Sequence, residues 1–137
     1  MTLIDSLKHA INRQEMVDKI LLGHGAVGND HPINGAYGVD HCSDIPIQAY
    51  DPDQAKSLIK KSGITSAQID VAEVTSGVTD AVLMLQRECS KIGFDLQVKK
   101  MATDGFWGSV WQTTPMNVTA WSMRPTATIM LDLAYHP

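Results

Sequence analysis

Basic clusters, a disulfide framework and long apolar runs are all missing from this sequence, and each absence removes a class of function. Lys and Arg are scattered, and the only adjacent pairs are Lys60-Lys61 and Lys99-Lys100 in a chain of net charge -4. Phosphate backbones are held by a clustered basic surface, so nucleic acid is not the expected partner. Both pairs read instead as solvated ends of secondary-structure elements. Two cysteines, Cys42 and Cys89, are too few for a disulfide-built scaffold. Cys89 falls on the apolar side of a predicted helix, as a buried free thiol would. Cys42 lies in a loop, and the sequence leaves open whether the two meet. No apolar run approaches the ~20 residues of a bilayer span. The start, Met1-Thr2-Leu3-Ile4-Asp5, shows no basic stretch leading into an apolar core, a pattern that a mature chain or a fragment would share.

The motifs of common catalytic and metal sites are missing too. There is no GxSxG elbow, no HExxH and no CxxC. His24, Asp30, His31, Asp40, His41 and Cys42 share one loop. Asp30-His31 and His41-Cys42, the latter preceded by Asp40, are adjacent in sequence, without the paired spacing that converges four ligands on zinc. They read as solvent-facing loop residues. His24-Gly25-Ala26-Val27-Gly28 follows a helix instead of a strand and lacks the lysine of a phosphate loop, so it fails on context. Asp51 and Asp53 are accounted for by helix capping and the helix dipole. No catalytic residue, cofactor or metal site is expected.

What is present is a globular composition, 44% hydrophobic and 19% charged, over 137 residues. Apolar spacing predicts two short helices over 3–22, with Asn12 as an N-cap, Glu15 completing a capping box and Gly23 as the stop. Residues 23–50 hold five glycines, Pro32 and Pro46 without sustained periodicity, and read as one long irregular loop. A helix follows from Asp51-Pro52, buries Ala55, Leu58 and Ile59, and ends at Gly63. Alternation over 69–74 predicts a strand. Val78, Ala81, Val82, Leu85, Cys89 and Ile92 then fall on one helical face, and Phe94, Leu96 and Val98 mark a second strand. Strand, helix and strand in this span form a βαβ unit with parallel strands. Beyond it the pattern predicts a short helix capped by Thr103 and closed at Pro115, a strand over 117–121, and a helix beginning at Thr126.

The candidate site residues are Trp121, Met123 and Arg124. Phe106 and one of Trp107 and Trp111 read as core. Trp121 stands at the C-terminal end of a predicted strand, outside which open α/β sheets bind ligands. Arg124, followed by Pro125, could pair bidentately with a carboxylate. Equally, its stem could lie on Trp121 at an ordinary surface.

Four stretches, in order, carry a family resemblance. They are Leu7-Lys8-His9-Ala10-Ile11-Asn12-Arg13-Gln14 with Leu21-Leu22-Gly23-His24-Gly25, then Tyr50-Asp51-Pro52-Asp53-Gln54-Ala55-Lys56, then Ile92-Gly93-Phe94-Asp95-Leu96-Gln97-Val98, and last the segment from Trp107 to Trp121. The chain resembles the C-terminal lobe of the dipeptide/oligopeptide-type extracellular solute-binding proteins of bacterial ABC transporters. The resemblance implies an α/β, βαβ-containing lobe of a type II-like periplasmic binding protein, with 1–137 as a single partial domain of a longer chain. It implies capture of a peptide or small solute between two lobes, delivery to a membrane permease, no catalysis, and a periplasmic or extracellular location. Peptide-binding members commonly carry an aspartate shortly after the tryptophan matching Trp121. Here that neighbourhood holds Arg124, with no acidic residue before Asp132, which favours a carboxylate-bearing ligand over a free amino terminus. An unpaired sheet edge would also allow a homodimer. A free-standing α/β interaction module and a small enzyme are the rival readings; neighbouring permease and ATPase genes would favour the transporter.

Overall fold

A computed structural model describes residues 2–135; Met1, His136 and Pro137 lie outside the described residues. The chain opens with two short helices, α1 (Thr2–Ala10) and α2 (Arg13–Ile20), as the apolar spacing requires. The Asn12 side chain accepts a hydrogen bond from the Glu15 N–H at 3.2 Å and so caps α2.

Residues 21–51 form the long connection, and its 3-10 segment at Gly35–Asp40, two short turns separated by a kink at Gly38 (φ 60°, ψ -117°), was not legible in the spacing. Its path is fixed by polar side chains in place of an apolar stripe. Arg13 donates to the carbonyls of Lys8 and Gln48 at 3.0 and 3.2 Å and pairs with Asp30 at 2.6 Å. Buried Ile33 and Tyr37 pack on Met130, which joins this loop to the end of the chain.

Helix α3 (Pro52–Ser62) is started by Asp51, whose carboxylate accepts from the Gln54 N–H at 2.8 Å, and ended by Gly63 in the left-handed region at φ 70°. Asp51→Ala should therefore cost about 1 kcal/mol. Urea denaturation should show the loss as a lower midpoint with an unchanged slope.

The sheet is small and parallel, in the order β2-β1-β3, with β1 at Ser66–Val71, β2 at Asp95–Lys100 and β3 at Asn117–Val118. The βαβ unit stands as expected: α4 (Val78–Lys91) links β1 to β2, which pair in register from Ser66 with Asp95 to Val71 with Lys100. Helix α5 (Thr103–Ser109) then carries the chain across to β3 on the other side of β1, and α6 (Ala127–Tyr135) follows. Among the described residues both sheet edges are open, at β2 and at β3, and a homodimer through an edge would have to form there.

The main core lies between α1, α3, α4 and the sheet, around Ala10, Ala55, Ile69, Val71, Cys89, Phe94 and Leu96. Gly77 shows how closely the elements approach. It begins α4 at φ 86°, where a Cβ would also sit 2.5 Å from Ile20 Cγ2. Cys89 is the expected buried free thiol, pushed up to about 12 by burial and then by the charge of Glu88. Cys42 is exposed and unpaired.

Expected boundaries differ at β1, at β3 and at both ends of α5, which stops at Ser109, well before Pro115. The first strand begins earlier, at Ser66, and ends at Val71, because the chain bends away to place the Glu73 carboxylate at the start of α4. The strand expected over 117–121 pairs only at Asn117 and Val118, since β1 ends opposite Val118 and leaves Thr119–Trp121 no ladder. Thr103 is the first residue of α5 and not its cap; Ala102 takes that place and supplies no side-chain bond.

Candidate functional site: an aromatic cleft at the sheet's switch point

A parallel sheet points all its strand ends one way, and the loops that follow the strands gather at that end. Here the loop after β1 supplies Val74 and Thr75, and the loop after β3 supplies Ala120, Trp121, Ser122 and Arg124. Helix α5, which follows β2, and the turn behind it add Trp107, Trp111 and Gln112. Together with Leu133 these residues line a cleft of about 510 Å³. Its position follows from topology. From β1 the chain winds first to β2 on one side and later to β3 on the other, so the crevice beyond β1 and β3 is where the winding reverses, the usual seat of ligands in open α/β sheets.

The cleft's wall is a run of edge-to-face aromatic contacts. Phe106 meets Trp107 at 5.2 Å between ring centroids, Trp107 meets Trp111 at 6.1 Å, and Trp111 meets Trp121 at 5.3 Å. Only the first ring is core. Phe106 is fully buried with Ala72 and Val110, Trp111 is half-buried against them, and Trp107 is 54% exposed. Phe106 is core as expected, but the tryptophan within α5, Trp107, is exposed, and Trp111, in the turn behind the helix, only packs partly buried against that core. Trp121 is 37% exposed and extends the run out to Arg124, whose guanidinium carbon lies 5.8 Å from the Trp121 ring centroid. The Arg124 N–H donates to the Tyr37 hydroxyl at 2.9 Å, which ties this loop to the 3-10 turn. Of the three candidate residues, Trp121 and Arg124 line the cleft. Met123, 51% exposed, is not among its lining residues.

The charge around the cleft is one-sided. Glu73 stands just before Val74, yet its carboxylate is turned onto the start of α4, accepting from the N–H of Gly77 at 2.7 Å and of Thr79 at 3.0 Å. The Thr79 hydroxyl and these backbone donors hold it below the usual carboxylate range. A neighbouring hollow of about 330 Å³ shares Trp121 as a wall and contains Asp30 and His31. Asp30 is neutralised there by Arg13 at 2.6 Å and approached by Lys8 at 3.9 Å. Among the described residues, Arg124 is the only ionisable one lining the cleft itself.

Gln112, another residue lining the cleft, was not legible in the sequence. It follows α5 in the left-handed region at φ 56°, a place that usually goes to glycine. A residue with a Cβ there costs about 1 kcal/mol. Val74 and Thr75 could have been found from the rule for strand ends, had β1 been ended at Val71. Among the described residues no group of three or more His, Cys, Asp or Glu is placed to hold a metal ion, and no helix is long and apolar enough to cross a membrane.

Among curated proteins no sequence matches this chain. The family model for bacterial extracellular solute-binding proteins, family 5 Middle, matches residues 6–136. Among solved structures, NikZ from Campylobacter jejuni, in complex with Ni(L-His), has a TM-score of 0.78 at 18% identity, over 96% of this chain and 28% of its own. HbpA2 from Haemophilus parasuis has a TM-score of 0.76 at 20% identity, over 90% of this chain and 25% of its own. The oligopeptide-binding protein AppA from Bacillus subtilis, in complex with a nonapeptide, has a TM-score of 0.72 at 20% identity, over 89% and 28%. At these identities the likeness is one of fold, and the chain spans about a quarter of the length of each. Fold and family are those of transport-related proteins of the periplasm or cell exterior and not of enzymes: the chain belongs to the bacterial extracellular solute-binding proteins, family 5.

Proposed function

We propose that this chain supplies one wall of the solute-binding cleft of an ABC-transporter binding protein, and that the solute is a peptide or a related small carboxylate-bearing molecule passed on to a membrane permease. The observation that carries the reading is the aromatic cleft with Arg124 among its lining residues and, among the described residues, no acidic one. Trp107, Trp111 and Trp121 offer apolar faces to a side chain, while the Arg124 fork suits a carboxylate and repels an ammonium group. In this reading Trp121 holds the guanidinium in place from below, and Met123 lies beside the cleft as a contact from its rim.

The test uses the chain itself, with the indole N–H signals of its three tryptophans followed by NMR. The probes are N-acetyl-alanyl-phenylalanine with a free C-terminal carboxylate and the same compound as its C-terminal amide. The acid should shift the indole signals and bind roughly 10-fold or more tighter than the amide, the worth of one charge-assisted hydrogen bond. Arg124→Ala should erase that difference. Equal affinity for acid and amide, or no shift with either, overturns the proposal.

A further inference from the structure

A glutamine held at φ 56° has a use for its side chain or is a cost without return, and the surroundings of Gln112 narrow the choice. The turn behind α5 is already satisfied without it. The N–H groups of Val110 and Trp111 both donate to the Phe106 carbonyl at 3.0 Å, and those of Thr113 and Thr114 donate to the Val110 carbonyl at 3.0 and 3.1 Å. The Thr113 hydroxyl donates to the Ser109 carbonyl at 2.6 Å. No hydrogen bond joins the Gln112 amide to another described residue. Glycine would take the same backbone at no steric cost. Gln112 instead brings a carboxamide to a cleft whose other lining side chains are mostly aromatic or apolar, with one cation.

We propose that Gln112 is a specificity-determining residue of the cleft, its side-chain amide pairing with a peptide group of the bound solute. This rests on the reading of the cleft as a solute site and deepens it. A carboxamide carries one acceptor oxygen and an NH2 donor on the same plane, the complement of the C=O and N–H of a peptide unit. Arg124 recognises the charge that any small carboxylate presents, whereas Gln112 separates a peptide from a carboxylic acid that has no amide. A site built to hydrogen-bond a polar group discriminates against an analogue that lacks it, because its own polar atoms are then left without partners.

Two probes with the same ring and carboxylate divide the roles: N-acetyl-alanyl-phenylalanine, which has peptide groups, and 3-phenylpropionate, which has none. Both are titrated into the unaltered chain, Gln112→Gly and Arg124→Ala with the same indole readout, and thermal unfolding is recorded for each protein. Gln112→Gly should bind the dipeptide roughly five-fold more weakly, leave 3-phenylpropionate unchanged and unfold no earlier than the parent, since glycine relieves the backbone. If Gln112→Gly leaves both affinities unchanged while Arg124→Ala weakens both, the role of Gln112 is refuted and the cleft reading stands. If neither probe shifts the indole signals of the unaltered chain, the cleft reading itself fails and Gln112 with it. A Gln112→Gly chain that melts earlier and loses both ligands alike marks a structural residue and also refutes the proposal.

Discussion

Phe106→Ala should destabilise the fold by about 3–5 kcal/mol, a large part of the stability of a domain this size. The ring is fully buried among Ala72, Val110, Val74, Met101 and Trp111, residues that come from the loop after β1, the position after β2, and the C-cap and turn behind α5. Removing it leaves a cavity that these backbones, held by ladder and helix bonds, close only in part. The change should also reach the cleft, because Phe106 is the buried end of the contacts that run through Trp107 and Trp111 to Trp121. Urea denaturation followed by tryptophan fluorescence checks both effects: a lower midpoint, and a native emission already shifted to the red before denaturant is added. Trp107→Ala is the control. Its side chain is 54% exposed, so its loss should cost well under half as much. Equal losses would mean that the aromatic run does not depend on its buried member.

What was legible in the sequence follows from which interactions are local. Helix starts rest on side chains within three residues of the backbone they bond, so Asn12 and Asp51 could be named as caps, and both are. Val78, Val82, Leu85 and Cys89 of α4, with Ile92 at its cap, meet one core because helical spacing alone decides it, and the flanking alternation then requires the parallel β1–β2 pair. The loop over residues 21–51 resisted because its order is non-local. Arg13 bonds Gln48 and Asp30, His9 bonds Gln48 and Ala49, and Tyr37 meets Arg124. None of these pairs leaves a period in the chain. The site divides in the same way. Trp121 and Arg124 stand out by their chemistry beside an expected strand end, and both are among the residues lining the candidate cleft, while Met123 is not. Trp121 lies three residues beyond the last paired residue, Val118, because strand length depends on the partner's length and not on propensity. Gln112 was invisible because its one distinguishing property is a backbone angle.

The remaining large effect is one of pH, and it sits on Glu88. This carboxylate is 2% exposed on α4 and collects a hydrogen bond from the Tyr50 hydroxyl at 2.6 Å, two from Arg87 at 2.9 and 2.7 Å, and two from Lys91 at 2.7 and 2.9 Å. Burial alone would raise its pKa, yet the bonds from Lys91, Tyr50 and Arg87 outweigh burial and hold it at about 2, against an ordinary 4.5. The same bond pushes the Tyr50 phenol up to about 12. A folded value below the unfolded one means that the unfolded chain takes up the proton first. The stabilisation is therefore complete above about pH 4.5 and is lost as the pH falls towards 2. Its size is about 3 kcal/mol as an upper bound, since Arg87 and Lys91 are 44% and 53% exposed and solvent screens part of the attraction. Glu88→Gln should lose most of this at neutral pH, and its stability should vary less than the parent's between pH 5 and about pH 2. Because Arg87 also reaches Glu15 at 2.7 Å and Tyr50 adjoins the Asp51 cap, the network fastens α2 and the end of the long loop to α4. Denaturation midpoints of the two proteins across that pH range decide the matter: parallel curves would show that Glu88 is not the group whose protonation weakens the fold in acid.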